Sequence, residues 1–432
     1  MDDSDLTYDQ LVDENNRLKK AVGELSIINE LSQAISGSLD SEKIIRNIIS
    51  RSIKAIQAEQ GDISLVAENR SDPSHTLVRS IDHSGLRSPV HLNQNLLGWM
   101  QINKKPLLIN DPENDTRFRH VKWGENVRSL VCAPLMVKSN LIGILTLYNK
   151  KNSEGFDESD KRLLSIIASQ SAQVIENARL YEEEKELNEI RTEMEMASAI
   201  QKAMLPSAPP ELEDYRMCGH NLTAKMVGGD YFDFIKVSEE EWIVCLGDIS
   251  GKGIAASLLM SNLQAILRGQ AIHLQSPSEI LKHANTQLFY NTSPEKFATL
   301  FLGFLNTKNH TFRFSSAGHE YPFLLKPDGS TDRLIANGLP LGVLESSEYE
   351  DNAIKITPGT AIFVYSDGIT DCVNANEEPF GEPRLQSQLF SAGEELHEPQ
   401  SLIETIFNDC FSHMGSESLF DDMTALALCR KP

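Results

Sequence analysis

The chain has 432 residues, 40% of them hydrophobic, and carries a formal net charge of −22 from 62 acidic and 40 basic residues. This length suffices for two or three separate hydrophobic cores, and two domains are the working expectation. The acidic excess argues against a nucleic-acid or anionic-membrane partner, because contacts with phosphate groups need basic patches. It leaves two explanations, which are solubility and carboxylates gathered to bind cations.

The apolar runs and the cysteines indicate the cellular location of the protein. No run approaches the roughly 20 apolar residues of a membrane-spanning helix, and residues 1–10 are acidic, unlike a secretory signal. A cytoplasmic location is expected. The six cysteines form no C-x-x-C pair and are interpreted as reduced core residues. None is followed at the sixth position by an arginine, which excludes a cysteine-dependent phosphatase.

The N-terminal part combines helices with short strands. Two helices are predicted over Leu11–Ile56, with a turn at Ser36–Ser38 between them and a cap at Asp40 or Ser41. Alternating apolar residues then predict strands, at Gly61–Ala67, Thr76–Ile81, Leu130–Val137 and Leu141–Tyr148. A short polar turn joins the last two, which therefore form a predicted hairpin.

A long helix is predicted from Asp157, with acidic residues in its first turn and no proline or glycine before Pro206. The predicted helix thus runs from Asp157 to just before Pro206, and a helix of this length is typical of a connector between two domains. Apolar residues step along it by alternating threes and fours, apart from a polar Gln201, at Leu187, Ile190, Met194, Ala197 and Met204. This spacing favours a parallel coiled coil and therefore a homodimer. A single helix that packs this stripe on its own domain remains the alternative.

The C-terminal part alternates between runs of strands and a pair of helices. Strands are predicted at Tyr231–Val237, Trp242–Leu246, Phe297–Leu305, Thr311–Ser315 and Ala361–Tyr365. Helices are predicted at Ala255–Ala271 and Pro277–Tyr290. Strands, then helices, then more strands favour a layered α+β sandwich over alternating βαβ units.

Four turns in this part contain an aspartate beside glycine or a second aspartate, at Asp230, Asp248, Asp367 and Asp421. Each alone is better explained as an ordinary turn, because Asp-Gly is a common turn former. Together they point to a shared site. Two bare carboxylates about 5 Å apart repel by roughly 3 kcal/mol at an effective dielectric near 20, so cations must offset them.

The ligand types indicate which cation and which chemistry to expect. All-oxygen ligation suits magnesium or manganese, whereas zinc would call for closely spaced His and Cys. Two such ions about 3.5–4 Å apart can activate a water and neutralise the phosphoryl group that it attacks. The expected reaction is therefore hydrolysis of a phosphate ester without a Ser or Cys nucleophile.

Six runs in the second half occur in an order that carries a specific resemblance. They are Val227–Ile235 (VGGDYFDFI), Leu246–Gly253 (LGDISGKG), Ser316–His319 (SAGH), Gly338–Gly342 (GLPLG), Tyr365–Asp371 (YSDGITD) and Asp421–Thr424 (DDMT). They closely resemble the bacterial branch of the metal-dependent PPM protein phosphatases, the RsbU and SpoIIE kind. The resemblance covers about residue 187 to the C-terminus and implies an αββα sandwich.

The resemblance implies a ligand set for two Mn²⁺ or Mg²⁺ ions. Asp230 and Asp248 would contact both ions, with the carbonyl of Ile249 as a backbone ligand. Asp367 and Asp421 would complete the shell of one ion. These four aspartates would be catalytic through a metal-activated water.

The same resemblance bears on Asp371, Asp422 and Ser250, whereas the roles of His319 and Lys252 are weighed from the residues themselves. Asp371 matches a position that helps to bind a third, weaker ion, and Asp422 is expected to support a ligand. Ser250 stands where eukaryotic relatives have a histidine, so the general acid stays unassigned. His319 is either a proton donor or a turn-building residue, and Lys252 either touches substrate phosphate or is merely solvated.

The N-terminal half resembles a GAF domain in its last strands and helix, at Arg128–Lys138, Leu141–Lys151 and Gly155–Glu158. The predicted domains are an N-terminal helix (1–24), a GAF sensory domain (25–180), a helical coiled-coil linker (181–206) and a PPM-type phosphatase domain (207–432). GAF domains bind small molecules or only dimerise. Asn149-Lys150 and Phe156–Glu158 echo a cyclic-nucleotide motif, but no ligand is assigned.

The resemblance implies a protein-serine/threonine phosphatase whose substrate is a phosphorylated STAS-domain protein, an anti-sigma-factor antagonist. The GAF domain would control it through the linker. An inactive scaffold is the first alternative, but a scaffold would not need mutually repelling carboxylates. A kinase or nucleotide cyclase is the second, but Gly251-Lys252-Gly253 lacks the flanking residues of a P-loop.

Overall fold

A computed structural model of the protein describes residues 12, 14–15, 40–66, 77–82, 94–119, 121, 123, 126–152, 154–293, 295–391 and 398–432. The chain divides into two compact units, Met1–Asn188 and Glu189–Pro432. Of the predicted N-terminal helix (1–24), the structure describes only Val12, Glu14 and Asn15, which are helical, and the turn at Ser36–Ser38 lies outside the described residues. The predicted mixture of helices and sheets in both halves is confirmed.

The first unit is built on one antiparallel sheet. Its elements are α1 (Ser41–Ile56), β1 (Ala58–Leu65), β2 (Leu77–Asp82), α2 (Gln94–Asn103), β3 (Leu107–Ile109), β4 (Leu130–Val137), β5 (Asn140–Lys150) and α3 (Glu158–Met204). The strand order is β2-β1-β5-β4-β3. The predicted hairpin is present: β4 and β5 pair along their length, from Leu130 opposite Tyr148 to Val137 opposite Asn140.

Each face of this sheet has its own hydrophobic cluster. Isoleucines of α1 and residues of the first turns of α3 cover one face. Helix α1 starts here because the Asp40 carboxylate accepts bonds from the amides of Glu42 and Lys43, which caps its N-terminus. On the other face, α2 packs with β3 and with residues around Phe118 and Val127.

Helix α3 is the predicted long helix, and its 47 residues continue from the first unit into the second. Leu187 and Ile190 of the predicted coiled-coil stripe are 67% and 55% exposed. Met204 instead packs against a core of the second unit, and the buried Gln201 donates to the carbonyl of Gly228 at 2.8 Å. The stripe is therefore exposed at its start and buried at its end.

The second unit contains two five-stranded antiparallel sheets. Its elements are β6 (Tyr215–Leu222), β7 (Tyr231–Lys236), β8 (Glu241–Ile249), α4 (Ile254–Gln270), α5 (Pro277–Asn291), β9 (Ala298–Asn306), β10 (Thr311–Ala317), β11 (Phe323–Leu325), β12 (Thr331–Arg333), β13 (Asn352–Lys355), β14 (Ala361–Tyr365), α6 (Asp367–Thr370), α7 (Glu382–Ser391), α8 (Pro399–Met414) and β15 (Met423–Arg430). The strand orders are β13-β10-β9-β8-β7 and β12-β11-β14-β15-β6.

Three hydrophobic clusters hold these layers together. One contains side chains of both sheets, among them Phe232, Phe301 and Leu426. A second joins α4 and α5 to the β7–β10 sheet. A third joins α7 and α8 to the sheet that contains β14 and β15. Each sheet therefore packs on the other sheet with one face and on helices with the opposite face.

None of the helices in the described stretches is both long and apolar enough to cross a membrane.

Candidate metal centre and active site

Asp230 directly precedes β7 and is 2% exposed. The hydroxyl of Thr424, on β15 in the other sheet, donates to its Oδ2 at 2.5 Å. The Asn221 side-chain amide donates in turn to the Thr424 hydroxyl oxygen at 2.7 Å. Because this leaves the Thr424 proton for Asp230, the carboxylate is held in one orientation by residues of both sheets.

Asp248 lies near the end of β8, where it and Ile249 enter a loop of unusual backbone. Gly251 and Gly253 have φ angles of 95° and 83°, which favour glycine. Opposite this loop, a Cβ on Gly229 would lie 2.7 Å from the Ile249 carbonyl oxygen. Only a glycine allows the backbone before Asp230 to approach the Ile249 carbonyl so closely.

The remaining aspartates come from the β14–α6 turn and from the turn before β15. Asp367 starts the short helix α6, and the amide of Asp371 donates to its carbonyl oxygen at 2.8 Å. Helix α6 lies against the second turn, since a Cβ on Gly368 would be 2.0 Å from the backbone oxygen of Asp422. This contact brings the turns that carry Asp367 and Asp421 close together.

Asp422 ties two of these turns together. It is 7% exposed, and its Oδ1 accepts from the Ala224 amide at 2.8 Å. Its Oδ2 accepts from the Gly229 amide at 2.6 Å. The carboxylate therefore positions the turn that carries Asp230.

The pKa values show that the carboxylates affect one another. Burial, and then the charge of Asp248, raise the pKa of Asp230 well above its ordinary value. Burial, followed by Asp367 and Asp421, raises the pKa of Asp248 to about 6. Burial, followed by Asp371 and Asp421, also raises the pKa of Asp367. The five aspartates are close enough to repel one another.

The donor set fits magnesium or manganese in chemical type, because it consists of carboxylates and a backbone carbonyl. In the described part of the chain, no three His, Cys, Asp or Glu side chains converge closely enough to hold an ion as they stand. Instead, the Lys252 ammonium lies 3.0 Å from Asp421 Oδ2. A divalent ion that binds Asp421 would therefore have to displace the Lys252 ammonium from this carboxylate.

His319 lies beside the centre but is poorly suited to donate a proton. Its Nδ1 is 2.9 Å from the Thr299 hydroxyl, and its Nε2 is buried without a hydrogen-bond partner. Burial lowers its pKa to about 4, so the ring is neutral at pH 7. It borders a cavity of 610 Å³, whose other lining residues are Gly318, Glu320, Tyr321, Ala336, Asn337, Gly338, Leu339 and Glu348.

The sequence assigned Thr424, Asn221 and Gln201 no role at the site. Thr424 belongs to the DDMT run, where a polar residue enters an otherwise apolar strand, and this is the one local signal that pointed to it. Gln201 also had a signal, because it is the polar residue that interrupts the apolar stripe of the long helix. Asn221 lacks one, since polar residues are common in strands that face solvent.

Known protein families match both halves of the chain. The family "Stage II sporulation protein E (SpoIIE)" matches residues 238–431, and the family "GAF domain" matches residues 38–176. "Phosphoserine phosphatase RsbU" of Bacillus subtilis is 30% identical over 247 residues, which are 56% of this chain and 71% of RsbU.

Two further comparisons cover similar shares of the chain. "Protein IcfG" of Synechocystis is 26% identical over 270 residues, 56% of this chain and 42% of that protein. The SiaA-PP2C domain of Pseudomonas aeruginosa aligns with a TM-score of 0.49 at 19% identity, over 57% of this chain and 98% of that domain. The predicted family and enzyme class are confirmed by the similarity to RsbU. The chain belongs to the PPM-type serine phosphatases of the SpoIIE and RsbU kind, and it carries a GAF domain ahead of its phosphatase domain.

Proposed function

We propose that the chain is a metal-dependent protein-serine/threonine phosphatase that acts on a phosphorylated STAS-domain protein in bacterial signalling. The observation that carries the metal dependence is the proximity of aspartates from four separate turns. For three of them, Asp230, Asp248 and Asp367, burial and neighbouring carboxylates raise the pKa. Such repulsion costs folding free energy unless cations offset it. The substrate is proposed from the resemblance to RsbU, which is named a phosphoserine phosphatase.

Two Mn²⁺ or Mg²⁺ ions would be held by Asp230 and Asp248, together with the Ile249 carbonyl, and by Asp367 and Asp421. Asp371 would help to hold a third, weaker ion. When bound, the ions would lower the pKa of a water and neutralise charge on the phosphoryl group.

The chain's own residues would position these ligands. The Thr424 hydroxyl donates a hydrogen bond to Asp230. Asp422 fixes the turn before Asp230 by accepting hydrogen bonds from two backbone amides. His319 is neutral at pH 7 because burial lowers its pKa, so it is not proposed as the general acid. That role stays unassigned.

The direct test is phosphate release from a phosphoserine peptide by the full chain. We expect release with added Mn²⁺ or Mg²⁺ and its loss with excess chelator. A phosphorylated STAS-domain protein should be a better substrate than the peptide, because it can contact more of the enzyme surface. No release from the peptide or from an aryl phosphate, with either metal, would instead support an inactive scaffold.

Signal transfer is proposed to run along α3, which joins the two units as one continuous helix. Its end is tied to α4, because the Gln264 side chain of α4 donates to the Met204 carbonyl at 2.5 Å. Helix α4 begins after the short loop that follows Asp248 and Ile249. A small-molecule signal at the GAF domain would change how the helix packs and thereby move this loop.

The exposed part of the stripe predicts a coiled-coil dimer. Replacing both Leu187 and Ile190 with Glu should convert a dimer to a monomer in light scattering, because charges are excluded from a coiled-coil seam. The same variant should change the rate of phosphate release. Met196→Glu is the matched control, since Met196 is 63% exposed but lies off the stripe. A wild-type monomer, or two variants with equal mass and rate, would rule out this role of the linker.

A further inference from the structure

Lys252 occupies an unusual place beside the carboxylates. Its Nζ lies 3.0 Å from Asp421 Oδ2, donates to the carbonyl of Phe420 and sits 4.1 Å from the centre of the Phe420 ring. Within the stretches that the structure describes, this is the one ion pair formed by the four proposed metal-binding aspartates. The ammonium group is therefore already located where Asp421 would bind a metal ion.

Lys252 lies in the short loop between β8 and α4. It stands between Gly251 and Gly253, both with positive φ, and this loop directly follows Asp248 and Ile249 at the end of β8. Helix α4 begins immediately afterwards, and no side chain caps its N-terminus. Lys252 therefore projects from the edge of the metal centre, next to the positive end of a 17-residue helix.

The ion pair itself is weakly stabilising. The side chains of Lys252 and Asp421 are 28% and 35% exposed. A pair this accessible to water changes an equilibrium constant by about five-fold at most. A metal ion can therefore take Asp421 from the lysine at small cost, and the released ammonium stays tethered nearby.

The charge balance gives the released ammonium a role. Four aspartates and two divalent ions are together neutral, whereas a phosphoserine side chain carries a charge of about −1.5 to −2 at pH 7. The centre therefore needs a further positive charge for the incoming phosphoryl group. Lys296 is the other cation at this loop, but its Nζ faces the Ser250 carbonyl oxygen at 3.4 Å.

We propose that Lys252 binds the phosphoryl group of the substrate after metal binding has displaced it from Asp421. This assignment rests on the proposed function of the metal centre. Nζ keeps its proton and donates a hydrogen bond to a non-bridging phosphoryl oxygen, so it takes no part in proton transfer. Lys252 thus has two successive partners, Asp421 in the metal-free enzyme and the phosphoryl group in the loaded enzyme.

If Lys252 exchanges partners in this way, removal of its ammonium group should change the affinities for Mn²⁺ and for phosphate in opposite directions. Lys252→Met should bind Mn²⁺ a few-fold more tightly, because no cation competes for Asp421. It should bind inorganic phosphate about 10- to 100-fold more weakly, because a charge-assisted hydrogen bond is lost. Lys252→Arg keeps the charge and should retain most of the phosphate affinity. A merely structural lysine would not move the two affinities in opposite directions.

The experiment uses the full chain and three Lys→Met variants, at Lys252, Lys296 and Lys308. Lys308 pairs with Glu240 at the other end of the β8–β9 ladder from Asp248 and controls for the loss of one charge. Calorimetric titration of metal-free protein gives the Mn²⁺ affinity. Inhibition of phosphoserine-peptide hydrolysis by inorganic phosphate gives the phosphate affinity. Circular dichroism checks that each variant is folded.

The outcomes separate this proposal from that of the metal centre. An inactive wild-type chain would contradict the proposed function. An active wild type with equal phosphate affinity in the Lys252 and Lys308 variants would overturn only the role of Lys252. Weaker phosphate binding in the Lys296 variant alone would assign the contact to Lys296 instead. Weaker binding of both ligands at Lys252→Met would show that the residue only supports the loop.

Discussion

Replacing Asp248 with Asn is expected to lower metal-dependent phosphate release by about 10³-fold or more, on the scale of losing a central electrostatic group. Asp248 is affected by Asp367 and Asp421 and hydrogen-bonds with Asp230, so it lies between the two halves of the proposed ligand set. Asn has the same shape but no charge, and it is a poor ligand for bridging two divalent ions. Phosphate release from a phosphoserine peptide in Mn²⁺ measures the effect.

The same substitution should stabilise the metal-free protein. In the folded chain the Asp248 pKa is about 6 instead of 3.8, so the folded state holds its proton more tightly than the unfolded state. The free energy of unfolding of the metal-free protein therefore falls by about 3 kcal/mol as the pH rises from about 4 through 6. Asn removes this loss at pH 8, and thermal unfolding without metal should show it.

Asp332→Asn is the matched control for both measurements. Asp332 is a 56% exposed carboxylate on β12 that pairs with Lys326, so its removal should change neither rate nor stability by much. Wild-type phosphate release by Asp248→Asn would contradict the proposed metal centre. Lost release together with lower metal-free stability would show that Asp248 serves the fold rather than the cations.

The second large effect is expected in the GAF domain, at Asp62 on β1. Asp62 is 1% exposed, its Oδ2 accepts from the Ser64 hydroxyl at 3.1 Å, and its Oδ1 has no hydrogen-bond partner. Thr146, directly opposite on β5, also has a buried hydroxyl without a partner. Burial raises the pKa of Asp62 to about 7.

This shift predicts a pH-dependent stability of the domain. The unfolded carboxyl loses its proton near pH 3.8, whereas the folded one keeps it to about pH 7. Stability should therefore fall as the pH rises from 4 to 7, by up to about 4 kcal/mol. Asp62→Asn cannot ionise, so it should be more stable than wild type at pH 8 and nearly independent of pH.

Tryptophan fluorescence can follow this domain within the full chain. Trp99 and Trp123 lie in the first unit, and replacing Trp242 with Phe removes the only tryptophan of the second. Denaturant unfolding at pH 5 and pH 8 then compares Asp62→Asn with Glu113→Gln, which removes an exposed carboxylate of the same unit. Equal pH dependence in the two variants would mean that the buried Asp62 ionises as freely as an exposed carboxyl.

Local patterns in the sequence determined much of the fold. The β4–β5 hairpin, β14, α4 and α5 were predicted within one or two residues, because alternation, turn residues and helical spacing act over a few neighbouring positions. The helix from residue 158 to 204 was predicted because proline and glycine are absent until Pro206. The aspartate turns stood out for the same reason, since carboxylates beside glycines are visible within short windows.

Strands β6 and β15 were missed, although they pair with each other along eight residues. Strand β15 contains Ala and Leu at adjacent positions, a pattern that suits a buried helix as well as a strand. Strand β6 has polar residues without clear alternation. Their pairing joins residues about 200 positions apart, and a pairing over that distance leaves no mark in either segment alone.

The sequence by itself determined the family, the residue types of the proposed metal centre and the order of most elements, because motifs and periodicity are local. Only the tertiary structure decided which groups meet. It joined Thr424 to Asp230, placed Lys252 on Asp421 and buried Asp62 with an unpartnered oxygen. These contacts depend on how distant strands and turns pack, and packing decides burial, charge neighbours and therefore pKa values.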